Sequence, residues 1–576
     1  MVAPQRGLVM NILGIGGYSH DSAAALVCDG QLVAAVAEER LTRNKHQGGV
    51  PREAVQFCLD TAGITANDVD HIGVYMRPGL RLTKRIPYRL GTMFRSPKYA
   101  AGYIGYELIH NVQYAAGMRS LRGPNTQLHF VDHHAAHAAS AFLVSPFEDA
   151  AILSIDYVGE WNATWGGSGR GNAVDCSFTK GYPDSLGVVY TALTDYLGFL
   201  RASDEYKVMG LASYGEPEYA DEFARIIQER PNGDYAVDRS WFQCHYRPGS
   251  RYGYMSKKFI DRFGPKRKKH EPVEDCHRNI AASLQHVLED TALRMADRLH
   301  TETKSENLCL SGGVALNCAM NGRIARESAF KRFFVQPAAG DDGIAIGAAY
   351  QLHHRFNSNA ARVEMKSALL GPEYSNADIA AFLDLAKIPY ERTANIAEST
   401  AELLAEGAII GWFQGRMEFG PRALGSRSIL ADPTREDMRD LINKFVKHRE
   451  EFRPFAPSCL REKAGDYFEG AFDSPFMLFV FNVKPEMREC IPAVTHIDGT
   501  ARVQTVDREA HPLYYETIAA FEQRRGVPMV LNTSFNVMGE PIVNTPEDAV
   551  RCFFSTGMDA LVMGDCIVRK SGALQA

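Results

Sequence analysis

Short apolar runs cut by glycine open the chain. Residues 11–15, 23–27 and 31–36 are too short for helices and are bounded by Gly16-Gly17 and Gly30, so they read as three strands. A helix is expected from Pro51 to a stop near Gly63, and residues 71–75 are strand-like again, giving a β-β-β-α-β order. The pattern restarts further on. After a strand-like run at 127–131, the second half is expected to begin at Ala150, with strands at 150–155 and 161–165 and the period of a long amphipathic helix over 279–300. Then come a strand at 307–310, the turn Ser311-Gly312-Gly313, a helix at 315–326, a strand at 333–335 and Gly340-Asp341-Asp342-Gly343 ahead of a small-residue helix. The second half repeats the first in architecture, not in sequence. Composition turns polar around 355–372. The expected division is a domain 1–355 with insertions at about 77–122 and 220–275, a linker 356–372, and a domain 373–576.

The stretch Val131-Asp132-His133-His134-Ala135-Ala136-His137 carries the first candidate chemistry. Asp132 is a natural N-cap and the alanines favour helix, so His133 and His137 share one face while His134 points elsewhere. On its own an HxxxH is as often structural as ligating. The strand at 150–155, however, delivers Asp156 to its C-terminal end, where α/β sheets keep their ligands. Asp341 stands before a helix, as an N-cap or a fourth ligand. His133, His137, Asp156 and Asp341 would form a two-histidine, two-carboxylate set suited to Fe(II), Mn or Zn. Ser311-Gly-Gly with Asn317 and Asn321 can take a phosphate at a helix N-terminus or can be a packing turn.

The last third differs in chemistry. Arg416, Gly420-Pro421-Arg422-Ala423-Leu424-Gly425, Arg427, Lys447, Arg449, Arg453-Pro-Phe-Ala-Pro457, Arg502 and Leu531-Asn532-Thr533-Ser534-Phe535-Asn536 concentrate cations beside turn residues, which suits a small polyanion. The whole chain carries a net charge of −6, so neither nucleic acid nor a membrane is called for as partner. Residues 77–122 are basic and aromatic (Arg77, Arg81, Lys84, Arg85, Arg89, Arg95, Lys98), read as a solvated helical insertion beside an active site, and Lys266-Arg-Lys-Lys269 as a charged loop. Eleven cysteines, odd in number and never spaced CxxC, indicate neither a disulfide framework nor a zinc ribbon and point to a reducing cytoplasm. No apolar run reaches the roughly 20 residues that span a bilayer, and residues 8–17 read as the first strand, not as a signal segment.

Taken together, His20-Asp21-Ser22-Ala23, Glu38-Glu39-Arg40, Thr42-Arg43, Lys45-His46, the HHxxH stretch, Lys207-Val-Met-Gly-Leu-Ala-Ser213, Gly312-Gly313-Val314-Ala-Leu-Asn317, Asp341, Gly420-Pro-Arg-Ala-Leu-Gly425, Arg453-Pro-Phe-Ala-Pro457 and Leu531-Asn-Thr-Ser-Phe-Asn536 resemble the O-carbamoyltransferases of the NodU/CmcH family over nearly the whole chain. The resemblance implies an α/β fold: a duplicated actin-like (ASKHA) ATPase domain followed by a YrdC-like α/β domain. It implies that carbamoyl phosphate and ATP give carbamoyl-adenylate in the second domain, and that the first passes the carbamoyl group to a hydroxyl of a small-molecule acceptor. By matching position, His133, His137, Asp156 and Asp341 would hold Fe2+ or another divalent ion such as Mn2+, and His20 would be the base. Lys45, Lys207, Gly312, Gly313 and Asn317 would contact the nucleotide in the first domain. Arg422, Arg427, Lys447, Arg453, Arg502, Asn532 and Ser534 would hold carbamoyl phosphate and ATP, with Mg2+, in the second. A homodimer is compatible with the resemblance. The rivals are a threonylcarbamoyl-type tRNA-modifying enzyme, against which the acidic balance speaks, a hydrogenase-maturation carbamoyltransferase, which would bring CxxC zinc fingers, and a non-catalytic nucleotide-binding scaffold.

Overall fold

The structure, a computed structural model, describes residues 10–94, 96–244 and 253–570. Arg95 of the basic insertion, and Leu8 and Val9 ahead of the first strand, lie outside the described residues. The chain packs as two units, one comprising residues up to Glu38 and His46–Met365, the other Glu39–Lys45 and the chain from Lys366 onward.

In the first unit, β1 (Asn11–Gly16), β2 (Ala23–Cys28), β3 (Gln31–Ala37), β4 (His71–Val74) and β5 (Gln127–Phe130) form a sheet in the order β3-β2-β1-β4-β5. The first three run antiparallel, whereas β4 and β5 run parallel to β1. The second sheet uses β6 (Asp149–Ile155), β7 (Asn162–Arg170) and β8 (Ala173–Gly181), followed, after a separate hairpin β9 (Ile227–Arg230) and β10 (Asp234–Val237), by β11 (Asn307–Ser311) and β12 (Arg332–Val335). Its order is β12-β11-β6-β7-β8, again an antiparallel meander with two parallel strands added beside its first member. The two sheets therefore share order and strand sense, the duplication read from the sequence pattern.

Helices His133–Phe142 and Ile344–Phe356 meet almost backbone to backbone. A Cβ on Gly347 would lie 1.9 Å from the carbonyl oxygen of Ala136, and one on Gly14 of β1 would lie 1.9 Å from that of Ala345. The alanine and glycine runs are thus set by close approach as much as by helix propensity. The long helix runs Asp275–Thr303, one turn earlier than its apolar period suggests, because Glu274 and His277 cap it reciprocally. The helix expected at 315–326 is broken: Gly313–Leu316 is a 3-10 turn, and Asn317 caps Cys318–Glu327 by accepting from the Met320 N–H at 3.0 Å.

The 77–122 insertion is helical, over Pro78–Gly91 and Pro97–Arg119, but its cations are not all solvated. Arg81, Arg89 and Glu107 are buried; Arg81 Nε donates to Glu107 Oε2 at 2.6 Å and Arg85 Nη1 to Glu107 Oε1 at 3.1 Å. The lone acid among many bases is therefore the point on which Arg81 and Arg85 converge. Arg267 is likewise buried, donating to the Leu197 carbonyl at 2.6 Å, and Lys266 pairs with Asp195 at 2.7 Å, so this run is no free charged loop.

The second unit holds an eight-stranded mixed sheet. Its strands are β13 (Glu391–Arg392), β14 (Ile410–Phe413), β15 (Arg427–Ala431), β16 (Ala456–Leu460), the paired β17 (Val480–Asn482) and β18 (Thr500–Arg502), which stand apart as a two-stranded ribbon, β19 (Gln504–Val506), β20 (Met529–Ser534), β21 (Ala560–Met563) and β22 (Cys566–Arg569). The order of the large sheet is β13-β22-β21-β14-β15-β20-β16-β19. Trp412, Phe521, Val530 and Val562 belong to its apolar core. The segment Glu39–Lys45, placed in the first domain by sequence pattern, belongs here: Arg40 Nη2 donates to the Gly420 carbonyl at 3.0 Å, and Arg43 donates to the Pro541 carbonyl at 2.9 Å and pairs with Asp548 at 3.2 Å. A seven-residue excursion carries too little hydrophobic period to be assigned from sequence. All eleven cysteines are free thiols, and among the described residues no helix is long and apolar enough to cross a membrane.

Candidate metal centre and anion loop

Asp132 caps the histidine helix through the Ala135 N–H at 3.1 Å, which sets the register that turns His133 and His137 toward the end of β6. His133 Nε2 lies 3.2 Å from Asp156 Oδ2 and 3.7 Å from Asp341 Oδ1; His137 Nε2 lies 3.8 Å and 3.5 Å from the same two oxygens. Donor atoms from these four residues all fall within 4.8 Å of one another, and three of the four residues are buried. A helix N-cap for the Asp341 side chain is excluded, since Gly343 holds that position.

Burial opposes charge on His133, but Asp341 and the hydrogen bond to Asp156 outweigh it and push its pKa up to about 9. His134, equally buried and beside His133, is pushed down to about 4. Burial would raise Asp156, yet the His133 hydrogen bond and the neighbouring imidazoles hold it well below the usual carboxylate range. The residues fit a divalent cation. Ligands about 2.1 Å from a metal stand about 3.0–3.4 Å apart, close to these separations, and both ring nitrogens of buried His137 lack a hydrogen-bond partner. Two imidazoles and two carboxylates suit Fe(II), Mn or Zn.

Residues that the sequence did not single out support this set. Glu160 is buried; its Oε1 accepts the Arg77 N–H at 2.9 Å and the His133 N–H at 3.3 Å, fixing the start of the histidine helix. The Gly313 N–H donates to Asp156 Oδ1 at 3.0 Å. Gly312 has φ +83°, and a Cβ there would sit 2.3 Å from the Ile155 carbonyl. In this structure the Gly312-Gly313 turn therefore orients a carboxylate. Asn317, besides capping, exchanges two hydrogen bonds with Gln285 at 2.9 and 3.0 Å. Lys207 is buried against Asp204 at 3.2 Å, and Lys45 packs with the second unit.

His20 is half exposed at the end of the β1 turn, with Nδ1 3.0 Å from Asp21 Oδ2. The other oxygen of Asp21 lies 2.8 Å from His46 Nδ1, and His46 Nε2 lies 2.9 Å from Ser203 Oγ. Desolvation alone would lower His20, but Asp21, Asp341 and Asp156 raise it to about 10. The histidine that sequence would pass over as a turn residue thus shares one carboxylate with a second imidazole.

In the second unit, Gly420–Gly425 is a clamped loop. Buried Glu418 accepts through Oε1 from the N–H groups of Leu424, Ser426 and Arg427, at 2.8, 2.7 and 3.0 Å. The carbonyls of Ala423, Leu424 and Gly425 accept from Asn532, Gln504 and Trp412 at 3.1, 2.8 and 2.8 Å. Gly425 has φ +104° and lies where a Cβ would meet the Tyr514 ring at 2.3 Å. Two residues expected on the anion thus have backbone duties: Asn532 holds this loop, and fully buried Arg427 donates to the carbonyls of Gln414, Gly415, Ser426 and Pro372 beneath the Phe413 ring. Lys447 is buried beside Ser534 and Asn536, with Nζ 3.3 Å from Ser534 Oγ and 3.1 Å from Asn536 Oδ1. Burial, with Arg449 and Arg453 nearby, lowers its pKa well below the usual lysine value. Arg453 is half-buried on the loop before β16, Arg422 lies on the clamped loop and Arg502 at the end of β18.

These features define a two-unit α/β protein with a buried two-histidine, two-carboxylate donor set in one unit and a cation-bearing clamped loop in the other. The family models "Carbamoyltransferase N-terminus" and "Carbamoyltransferase C-terminus" match residues 11–350 and 401–570. The chain is 40% identical to "Nodulation protein NolNO" of Sinorhizobium fredii over 96% of its own length and 80% of the relative's, and 30% identical to "Nodulation protein U" of Rhizobium tropici over 94% and 93%. An uncharacterised Synechocystis sp. protein is 42% identical over 98% and 97%. The chain belongs to the NodU family of O-carbamoyltransferases and is a carbamoyltransferase enzyme. Among solved structures, Thermus thermophilus ROK hexokinase matches 61% of the chain and all of its own at TM-score 0.30 and 14% identity, and "T.kodakarensis HypF" matches 61% and 49% at TM-score 0.29 and 15% identity; matches this distant assign no function.

Proposed function

We propose that the enzyme is ATP-dependent and works in two half-reactions. In the second unit, read as a YrdC-like domain, water cleaves carbamoyl phosphate to carbamate and phosphate, and the carbamate oxygen then attacks the α-phosphorus of ATP, giving carbamoyl-adenylate and releasing pyrophosphate. In the first unit an acceptor hydroxyl attacks the carbamoyl carbon, AMP leaves, and the hydroxyl proton passes to His20. The observation that carries this reading is the pairing of the four-residue donor set with His20 on Asp21, in a chain whose second unit also bears a clamped Gly420–Gly425 loop and a buried Lys447 near Arg453.

A carbamoyl group is resonance-stabilised and a poor electrophile, so a mixed anhydride with AMP supplies the leaving group it lacks. Arg422, Arg453, Arg502 and Lys447 supply positive charge for the phosphates, while Glu418 and Asn532 keep the loop rigid. His133, His137, Asp156 and Asp341 would hold Fe2+ or Mn2+, which when bound supplies Lewis-acid stabilisation of developing negative charge. Asp21 engages Nδ1 of His20 and leaves Nε2 as the basic nitrogen. Asp341 and Asp156 add to the upward push that the Asp21 hydrogen bond exerts on His20, and a bound cation would offset their share of it. Incubating the enzyme with ATP, carbamoyl phosphate and a panel of hydroxylated sugars and natural products tests the reading by mass spectrometry. A carbamoyl-sized mass gain that requires both ATP and carbamoyl phosphate supports it; transfer that proceeds equally without ATP overturns the adenylate route.

A further inference from the structure

The helix Pro97–Arg119 is inside out. Between Ala100 and Met118, which it buries near its two ends, its polar residues Glu107, His110, Asn111 and Tyr114 are buried, whereas Leu108, Ile109 and Val112 are 47%, 61% and 70% exposed. At 100° per residue the outward face reads Lys98, Ala101, Gly105, Leu108, Ile109, Val112, Ala116, Arg119: an apolar stripe with a cation at each end, about 30 Å apart. The partner helix Pro78–Gly91 is antiparallel to it, since Arg81 pairs with Glu107 and Arg89 stacks on Tyr103 at 3.9 Å. It adds exposed Lys84 and Leu90, and Phe94 just beyond it is fully exposed. Between residues 78 and 119 the sequence contains one acid, Glu107, and that one is buried and paired. Single exposed apolar residues need no explanation, but a helix that buries its polar face and presents its apolar one marks an interaction surface.

The charge decides the occupant. A second copy of the chain laid on this stripe would bring Lys98 or Arg119 of each copy against a cation of the other in either orientation. An anionic lipid surface complements both features, taking the aliphatic side chains and Phe94 at its acyl boundary and the lysines and arginines at its headgroups. We infer that the 78–119 helical hairpin is a peripheral docking surface for anionic membranes, on a chain whose net charge of −6 would otherwise repel them. It lies on the bilayer and does not cross it, consistent with the absence, among the described residues, of a helix apolar enough to span. This departs from the sequence-based expectation of no membrane partner.

Flotation of the full-length enzyme with vesicles of phosphatidylcholine alone, or with about one-third phosphatidylglycerol, tests it. The enzyme should float with the anionic vesicles and not with the neutral ones, and added salt should release it. Ile109→Gln/Val112→Gln and, separately, Lys84→Glu/Lys98→Glu/Arg119→Glu should each lower the bound fraction at least about tenfold with unchanged circular dichroism. No binding to anionic vesicles, equal binding to neutral ones, or indifference to both sets of substitutions overturns the proposal. So does a dimer, seen by light scattering, that Ile109→Gln/Val112→Gln dissolves while vesicle binding is absent.

Discussion

Gly347→Ala separates two opposing effects at the heart of the first unit. In an ordinary helix interior the change would stabilise by about 1 kcal/mol, because alanine loses less backbone freedom on folding. Here the new Cβ would stand 1.9 Å from the Ala136 carbonyl oxygen and 2.7 Å from the Ser140 nitrogen. Both neighbours are backbone, so no rotamer change relieves the clash, and the two helices must part by roughly 1 Å. Overpacking of this kind costs about 1–3 kcal/mol, and with no side chain to yield the upper part of that range applies. The net expectation is a loss of about 1–2 kcal/mol and a midpoint lower by a few degrees. Parting the helices also moves Asp341, six residues before Gly347, away from His133 and His137. Divalent-metal affinity should fall by about tenfold or more, the scale of a disturbed ligand support. Thermal melts followed by circular dichroism and a competition titration with a metal indicator read the two quantities. Gly105→Ala, on an exposed helix face with nothing near its Cβ, is the control and should stabilise slightly. A Gly347→Ala enzyme that melts at or above the wild-type temperature with unaltered metal affinity refutes the argument.

Three further outcomes follow from the same geometry. His137→Ala should lose most of the divalent metal found by elemental analysis of anaerobically purified enzyme, and full retention would show the ligand set to be wrong. Burial would raise the Glu107 carboxyl, but Arg81 and Arg85 outweigh it and hold its pKa at about 2, below its unfolded value, so its stabilising contribution is complete above the ordinary carboxylate range and is lost as pH falls toward about 2. Wild-type unfolding free energy should therefore drop by about 3 kcal/mol across that window on account of this group, and Glu107→Gln, already destabilised at neutral pH because Arg81 and Arg85 lose their counter-charge, should show a flatter acid dependence in urea titrations. Glu418→Ala leaves three buried N–H groups of the 420–427 loop without an acceptor and should cost about 3 kcal/mol or more together with most of adenylate formation; an unchanged urea midpoint would contradict the clamp.

Local rules made much of this legible. The strands of both sheets except β8, the Asp132 cap and the i, i+4 histidine pair follow from alternation, capping and helical period, and the rule that ligands gather at strand ends points to Asp156. What stayed hidden depends on long-range partners. Nothing local distinguishes Arg427, held by four carbonyls under Phe413, from an arginine aimed at phosphate. Glu418 is a single acid before a conspicuous Gly-Pro-Arg motif, and only folding brings its carboxylate under three amides. The Glu39–Lys45 excursion into the second unit, and the outward apolar face of the Pro97–Arg119 helix, are likewise tertiary facts, since a buried Glu107 and an exposed Val112 invert what composition alone would assign.

Carbamoyl-phosphate-dependent exchange of labelled pyrophosphate into ATP tests the division into two half-reactions most directly, when run on the wild-type enzyme, Arg453→Ala and His20→Ala side by side. The wild type should exchange only when carbamoyl phosphate is present, Arg453→Ala should lose exchange, and His20→Ala should exchange normally while failing to carbamoylate an acceptor. Exchange that persists in Arg453→Ala, or disappears in His20→Ala, would contradict the assignment of adenylate formation to the second unit and transfer to the first.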